Sequence, residues 1–344
     1  MGLFLMELED QLTKILIFGG AGFLGYHLAC KLNTHSENEI HIVDNLSRGV
    51  KDIYFEKLIN NQSIKYFNKN LLNLNELNQL DNDYDYIYNF SAIIGVKHVL
   101  TAPFEVLTKN FIMMHNAINF AHKQHKLNRF IFTSTSEVMA GSLEHLDLHF
   151  PTPENFPLAL TDIKHPRTSY MLSKIYGEAM CYHSKLPFLI VRPHNIYGTR
   201  MGLSHVIPEI MKKIYSSKKN ESIEIFNSNH QRAFCYVDDA INMIVQLATS
   251  QNKINDVVNI GNPNEEISIN YLSNLIAKTM NRDDINFIFN NENNTGSPSR
   301  RVPCLKKFTE YSNFYPSISI SSGCETVYSW YENNIFSGKT ISSN

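Results

Sequence analysis

Tyr170 and Lys174 stand four positions apart in Tyr170-Met-Leu-Ser-Lys174. On a helix that spacing puts both on one face, so an ammonium can approach a phenol and favour its ionised form. A phenol whose pKa falls from about 10 toward the working range can take the proton of an alcohol while the carbinol carbon gives up a hydride. Alone the pair says little, because helices commonly expose such residues. A second group of residues changes its weight. Gly19, Gly22 and Gly25 punctuate Gly19-Gly-Ala-Gly-Phe23-Leu24-Gly25, directly after the apolar run Lys14–Phe18 and before a segment with helical spacing. Glycines so placed allow a tight turn, close backbone approach to a pyrophosphate and close helix–strand packing, while the helix start attracts the phosphates. An acid is then needed about twenty residues on. Asp44 supplies it, with Asn45 beside it, at the end of Ile40-His-Ile-Val43. A carboxylate there can accept both ribose hydroxyls of NAD and repels the 2′-phosphate of NADP. Arg48, in Asn45-Leu-Ser-Arg48, keeps NADP as the alternative.

The elements that must position these residues are also legible. Short apolar runs at Lys14–Phe18, Glu39–Val43, Ile64–Phe67, Tyr86–Phe90, Arg129–Thr133 and Phe188–Val191 alternate with helical patterns at Phe23–Leu32, Phe104–His125 and Ser169–Ser184. That alternation predicts an α/β fold, a Rossmann-like doubly wound parallel sheet covered on both faces, with a smaller carboxyl-terminal α/β lobe. The expected division gives residues 14–192 to the NAD-binding domain, with 232–261 returning to it. Residues 193–231 and 262–331 then form the substrate lobe, and 332–344 a polar tail. The apolar run Asp256–Ile260 is the expected returning strand. After the run Arg129–Thr133 comes Ser134-Thr-Ser-Glu137, hydroxyl donors at the carboxyl edge of the sheet, where such folds bind ligands.

Composition excludes several classes. With 43% hydrophobic residues over 344, the chain has material for a large core and is not disordered. Thirty-one basic residues against 33 acidic leave a net charge of −2, no electrostatic grip on nucleic acid or anionic membrane. Cys30, Cys181, Cys235, Cys304 and Cys324 lack metal-ligand spacing, so neither a metal nor a disulfide framework is expected. Met1-Gly-Leu-Phe-Leu-Met6 is briefly apolar but runs into Glu7, Glu9 and Asp10 without a basic flank, and Met6 stands where myristoylation at Gly2 needs Ser or Thr. No apolar run reaches membrane-spanning length. A soluble, cytoplasmic protein is expected, and the asparagine-rich stretch Asn290–Asn294 reads as loop.

The glycine spacing GxxGxxG, with the Tyr-x-x-x-Lys pair downstream, resembles the short-chain dehydrogenase/reductase superfamily, specifically its extended, nucleotide-sugar-modifying branch. The resemblance runs from about Lys14 to Tyr331. It implies that Thr135 holds the catalytic Ser/Thr position, since Glu137-Val138 match the branch's Glu-Val-Tyr-Gly, although Met139 and Ala140 replace its Tyr and Gly. It implies that Phe90, Ser91 and Ala92 line the cofactor, and that Asn110 supports the lysine. Asn70 and Leu71 fall where an Asp-Leu contacts adenine. Arg192-Pro-His-Asn195 implies a substrate-diphosphate contact for Asn195, and Gln231-Arg232-Ala-Phe a phosphate or nucleoside contact for Arg232. Ser299-Arg-Arg301-Val-Pro303 resembles a further basic substrate segment; Lys174 and Tyr170 would contact the cofactor ribose as well. A homodimer built from the two long helices is also implied.

Enzymes of the branch oxidise a sugar C4 hydroxyl, and the 4-keto sugar is then epimerised, dehydrated or, if C5 bears a carboxylate, decarboxylated. Dehydratases carry Asp-Glu after the catalytic Thr; here stand Ser136 and Glu137. Thr-Ser-Glu-Val, Arg167 three residues before Tyr170, and Arg301 in Arg-x-Pro resemble UDP-glucuronate decarboxylases. Decarboxylation is the leading expectation, 4-epimerisation the alternative and dehydration third. A non-catalytic NAD-binding scaffold or sensor is the reading from another class, and the intact Thr135, Tyr170 and Lys174 argue against it.

Overall fold

The structure, a computed structural model, describes residues 13–252, 255–290 and 298–338. The amino-terminal stretch 1–12, most of the asparagine-rich stretch and the end of the tail lie outside the described residues.

Seven parallel strands form the main sheet: β1 (Thr13–Phe18), β2 (Asn38–Val43), β3 (Ile64–Phe67), β4 (Tyr86–Asn89), β5 (Arg129–Thr133), β6 (Phe188–Pro193) and β7 (Asp256–Ile260), in the order β7-β6-β5-β4-β1-β2-β3. The chain order reverses between β1 and β4, and a crevice at such a switch point is where these sheets take ligands. Alternation along each strand feeds two cores. Ile15, Ile17, Ile131 and Val191 face one layer, while Leu16, Phe18, Phe130, Phe132 and Ile190 face the other. Burial on both faces explains why the strands read as near-continuous apolar runs.

Helix α1 (Phe23–Leu32) follows the glycine turn, and α2 (Pro103–Ala121) packs along α3 (Thr168–His183). The helical pattern extends past α2 to His125, but the Gln124 side chain donates to the Phe120 carbonyl at 3.1 Å and closes the helix. α3 lies close to β5 because Gly177 faces the Phe132 ring, where a Cβ would come within 2.4 Å of Cζ. That approach sets Lys174, one turn earlier, against the end of β5.

Residues 256–260 pair in parallel with β6, preceded by the helix Val237–Thr249. Residues 231–233 do not join this sheet. They pair with Glu266–Ser268 and Arg300–Arg301, which brings Arg301 level with Arg232. Ser222–Phe226 and Asn286–Asn290 make a further two-stranded sheet. No helix of the described residues is long and apolar enough to cross a membrane.

Candidate active site

The glycine turn is built for close approach. Gly19 has φ 78°, and a Cβ on it would lie 2.8 Å from the Ser91 amide nitrogen. At Gly25 a Cβ would come within 2.3 Å of the Gly19 carbonyl oxygen. Gly22 precedes α1 and supplies no capping side chain, so the amides at Phe23 and Leu24 begin the helix without a side-chain acceptor. Asp44, 8% exposed, accepts from the amides of Ala21 at 3.1 Å and Leu46 at 2.8 Å. Burial raises its pKa, and the two amides only partly offset this. Asn45 accepts from the Ser47 amide at 3.0 Å in a turn of its own. A cradle open only to glycine, an uncapped helix start and a buried carboxylate with spare lone pairs fit a dinucleotide. Asn70 and Leu71 lie after β3, on the same flank as Asp44. The Asn70 side chain accepts from the Leu72 amide, and the Leu71 carbonyl is held by Asn116 at 2.8 Å.

Across the switch point, Phe90, Ser91 and Ala92 follow β4. Ser91 donates to the Asn89 side chain at 2.6 Å, and the loop lies against the glycine turn. Asn110 clamps the next residue, Ile93, accepting from its amide at 2.7 Å and donating to its carbonyl at 3.0 Å. Its second donor contact is Ser173, at 3.2 Å, rather than Lys174. Asn110 thus ties the loop after β4 to α3 one residue before the lysine.

Tyr170 is buried against Ala92, Ile93, Val99 and Val106. Burial raises its phenol above the ordinary value and the Glu137 charge adds to this, while the Arg48 charge and the Thr135 hydroxyl act the other way. The sequence predicts that Lys174 lowers this pKa; the structure shows why it does not here. The Lys174 ammonium donates to the Thr133 carbonyl at 2.7 Å and sits 4.8 Å from the Phe132 ring centre, against 5.9 Å from that of Tyr170. Burial pulls the ammonium itself down to about 8, with Glu178 acting against the fall. Thr135 opens a short 3₁₀ turn, accepting from the Glu137 amide at 3.2 Å, and Ser136 is buried within it. The chain continues into the helix Ala140–His145, where Gly141 lies against the backbone of residues 159 and 160.

Glu137 stands where arginines from three segments meet. Arg301 Nη1 donates to it at 2.7 Å, and Arg167 Nη2 lies 3.8 Å away. Burial raises the Glu137 pKa, but Arg301, Arg167 and Arg232 together more than reverse it. Arg232 is driven down to about 9 by burial and then by Arg301. Its Nη atoms donate to the carbonyls of Gln231, Pro298 and Ser299, so it clips the Arg301 strand in place. Arg301 is 6% exposed, and its Nε and Nη2 have no hydrogen-bond acceptor among the described residues. Asn195, with φ 43°, donates to the Ala233 carbonyl at 3.3 Å at the edge of the same region.

The motifs do not disclose one supporting network. Glu178, on α3, accepts from Ser134 at 2.5 Å and from both Nε and Nη2 of Arg192 at 2.8 and 2.6 Å. This buried pair joins α3 to β5 and β6 beneath the site, with Glu178 four residues after Lys174 on the same helix. Among the described residues no cluster suits a metal ion.

Residues 15–261 match the model of the NAD dependent epimerase/dehydratase family. A UDP-N-acetyl-alpha-D-glucosaminuronate decarboxylase of Bacillus cytotoxicus is 29% identical over 326 residues, spanning 92% of this chain and 97% of that protein. UDP-glucuronic acid decarboxylase 1 of Danio rerio is 27% identical over 334 residues, 95% of this chain and 74% of its own length. The fold matches that of UDP-glucuronic acid 4-epimerase from Bacillus cereus, solved with UDP-glucuronic acid and NAD, with a TM-score of 0.78, 24% identity and coverage of 93% and 99%. With its glycine cradle, buried acid and Thr–Tyr–Lys set on this sheet, the chain is an enzyme of the NAD dependent epimerase/dehydratase family, and NAD is its cofactor.

Proposed function

We propose that this enzyme oxidises C4 of a UDP-hexuronate and decarboxylates the resulting 4-keto acid, as the names of its relatives suggest. The observation that carries the reading is the wall beside Thr135 and Tyr170, where Arg301 and Arg167 meet at Glu137 and Arg301 keeps Nε and Nη2 without an acceptor among the described residues. Buried guanidinium donors need acceptors, and an anion would satisfy the two that Arg301 keeps. A nucleotide sugar with a carboxylate on C5 supplies that anion close to C4.

Gly19, Gly22, Gly25, Asp44 and the loop Phe90–Ala92 would hold NAD, which supplies a hydride acceptor and later a donor. Tyr170 takes the proton of the C4 hydroxyl, and Thr135 hydrogen-bonds the same oxygen. Arg48 and the Thr135 hydroxyl favour the phenolate this requires, and Lys174 would hold the cofactor ribose. Once C4 is a ketone, the carboxylate on C5 is β to it. Breaking the C5–C6 bond releases carbon dioxide and leaves its electron pair in an enolate across C5 and C4, which Tyr170 and Thr135 stabilise through the C4 oxygen. Protonation at C5, and return of the Tyr170 proton to the C4 oxygen as the ketone is reduced, would give a UDP-pentose. Asn195 and Arg232 border the region in which the substrate diphosphate would lie.

The same wall would also orient a uronate for reduction from the opposite face, so 4-epimerisation is the second reading. Dehydration lacks an acid at Ser136. Two copies would pack through α2 and α3, which leave Phe104, Leu107, Phe111 and Tyr176 exposed. The carboxylate requirement is tested by comparing kcat/KM for UDP-glucuronate and UDP-glucose in the wild type and in Arg301→Gln. The wild type should prefer the uronate by at least about a hundredfold, and the variant should lose most of that preference. Equal turnover of both sugars by the wild type would refute the reading.

A further inference from the structure

The loop after Asp44 is a strap pinned at both ends. At its start Asp44 holds the amides of Ala21 and Leu46, and Leu46 takes a left-handed conformation, φ 57°, that turns the chain away from β2. At its end Arg200 donates from Nε to Asp52 Oδ2 at 2.8 Å and from Nη2 to the Val50 carbonyl at 3.1 Å. The Arg200 guanidinium also stacks 3.9 Å above the Tyr26 ring of α1. In between, Gly49 is pressed on the glycine turn, where a Cβ would meet Ala21 Cβ at 2.6 Å.

Arg48 projects from the strap, exposed, with no hydrogen-bond or ion-pair partner among the described residues. Its Nη2 lies 3.5 Å from where a Cβ on Gly95 would stand. Gly95 belongs to the loop after β4, two residues beyond the Ile93 that Asn110 clamps and Tyr170 packs against. Arg48 therefore crosses from the Asp44 side of the switch point to the Tyr170 side. Its charge favours the Tyr170 phenolate and, after burial, opposes protonation of His205.

A dinucleotide with one ribose at Asp44 and its reacting ring at Tyr170 must carry its diphosphate between them, over the start of α1. We propose that Arg48 clamps that diphosphate from the side opposite the α1 amides, and that it does not read an adenosine 2′-phosphate. A guanidinium suits the task because its fork pairs two phosphate oxygens. A nucleotide-sugar substrate also carries a diphosphate, so the test separates the two sources.

Isothermal titration calorimetry of nucleotide-free wild type, Arg48→Ala and Arg48→Lys would use NAD, ADP-ribose, NADP and UDP in turn. Arg48→Ala should weaken NAD and ADP-ribose together by about tenfold, the equivalent of one charge-assisted hydrogen bond. Arg48→Lys should recover part of this, since an ammonium keeps the charge but not the fork, UDP binding should not change, and the preference for NAD over NADP should stay as in the wild type. Unchanged NAD affinity overturns the proposal, and so does an effect confined to NADP or to UDP. Arg48→Lys binding NAD no better than Arg48→Ala would mean that the charge contributes nothing, which also overturns it.

Discussion

Tyr170 is a poor base in its own burial, and two groups work to correct that: the Thr135 hydroxyl and the Arg48 charge. Tyr170→Phe removes the proton acceptor and leaves the ring packing intact. Turnover should fall about a thousandfold while NAD still binds, which steady-state kinetics and calorimetry would show. A variant that turns over normally would leave only a nucleotide-binding protein. Lys174 gives the pH dependence. Because burial lowers its pKa to about 8, the ammonium is lost as pH rises through that value, and kcat/KM should fall on the alkaline side. Stability moves the other way. Between about 8 and the ordinary value of 10.5 the unfolded chain binds the proton that the folded chain has released, so the folded state gains with pH. Lys174→Met, which removes the buried charge, should therefore raise stability near pH 7 by about 1 kcal/mol while abolishing turnover. A lower melting temperature for this variant would contradict that account.

At the scale of elements, the close contact between α1 and β1 depends on Gly25. With a Cβ placed 2.3 Å from the Gly19 carbonyl, Gly25→Ala must push the helix start off the strand. A loss of about 1–3 kcal/mol is expected in denaturant titration, together with loss of NAD binding. An alanine variant that binds NAD normally would mean the turn tolerates the shift. The turn, Asp44 and the Tyr–Lys pair were legible in the sequence because each lies in one short segment whose spacing has a mechanical meaning. The strands were legible because burial on both faces makes them continuous apolar runs. What stayed hidden depends on segments far apart in the chain. Glu137, Arg167, Arg232 and Arg301 meet only once residues 231–233 pair with 300–301. Asn110 looked like support for the lysine but reaches the Ile93 backbone and Ser173, because the loop after β4 folds back over α2. The direction taken by Arg48 is set by Arg200, 152 positions later in the chain, pinning the strap, and no local pattern announces it.

For the whole molecule, α2 and α3 present an apolar face that the other described residues leave uncovered. Phe104 is 78% exposed, and Phe111 meets Tyr176 edge to face with ring centres 5.2 Å apart. Contiguous exposed aromatic surface of this kind suits a twofold interface. Analytical ultracentrifugation should find the wild type as a dimer and Phe104→Asp/Phe111→Asp as a folded monomer; a monomeric wild type would remove the proposed interface. The face lies on the two helices that carry Asn110, Tyr170 and Lys174, so the monomer should also lose activity. The chemistry as a whole is decided by the fate of one carbon. Given NAD and UDP-glucuronate labelled in the carboxyl group, the purified enzyme should release the label as carbon dioxide and leave an unlabelled UDP-pentose. Label retained in a UDP-hexuronate of inverted C4 would contradict decarboxylation and identify a 4-epimerase.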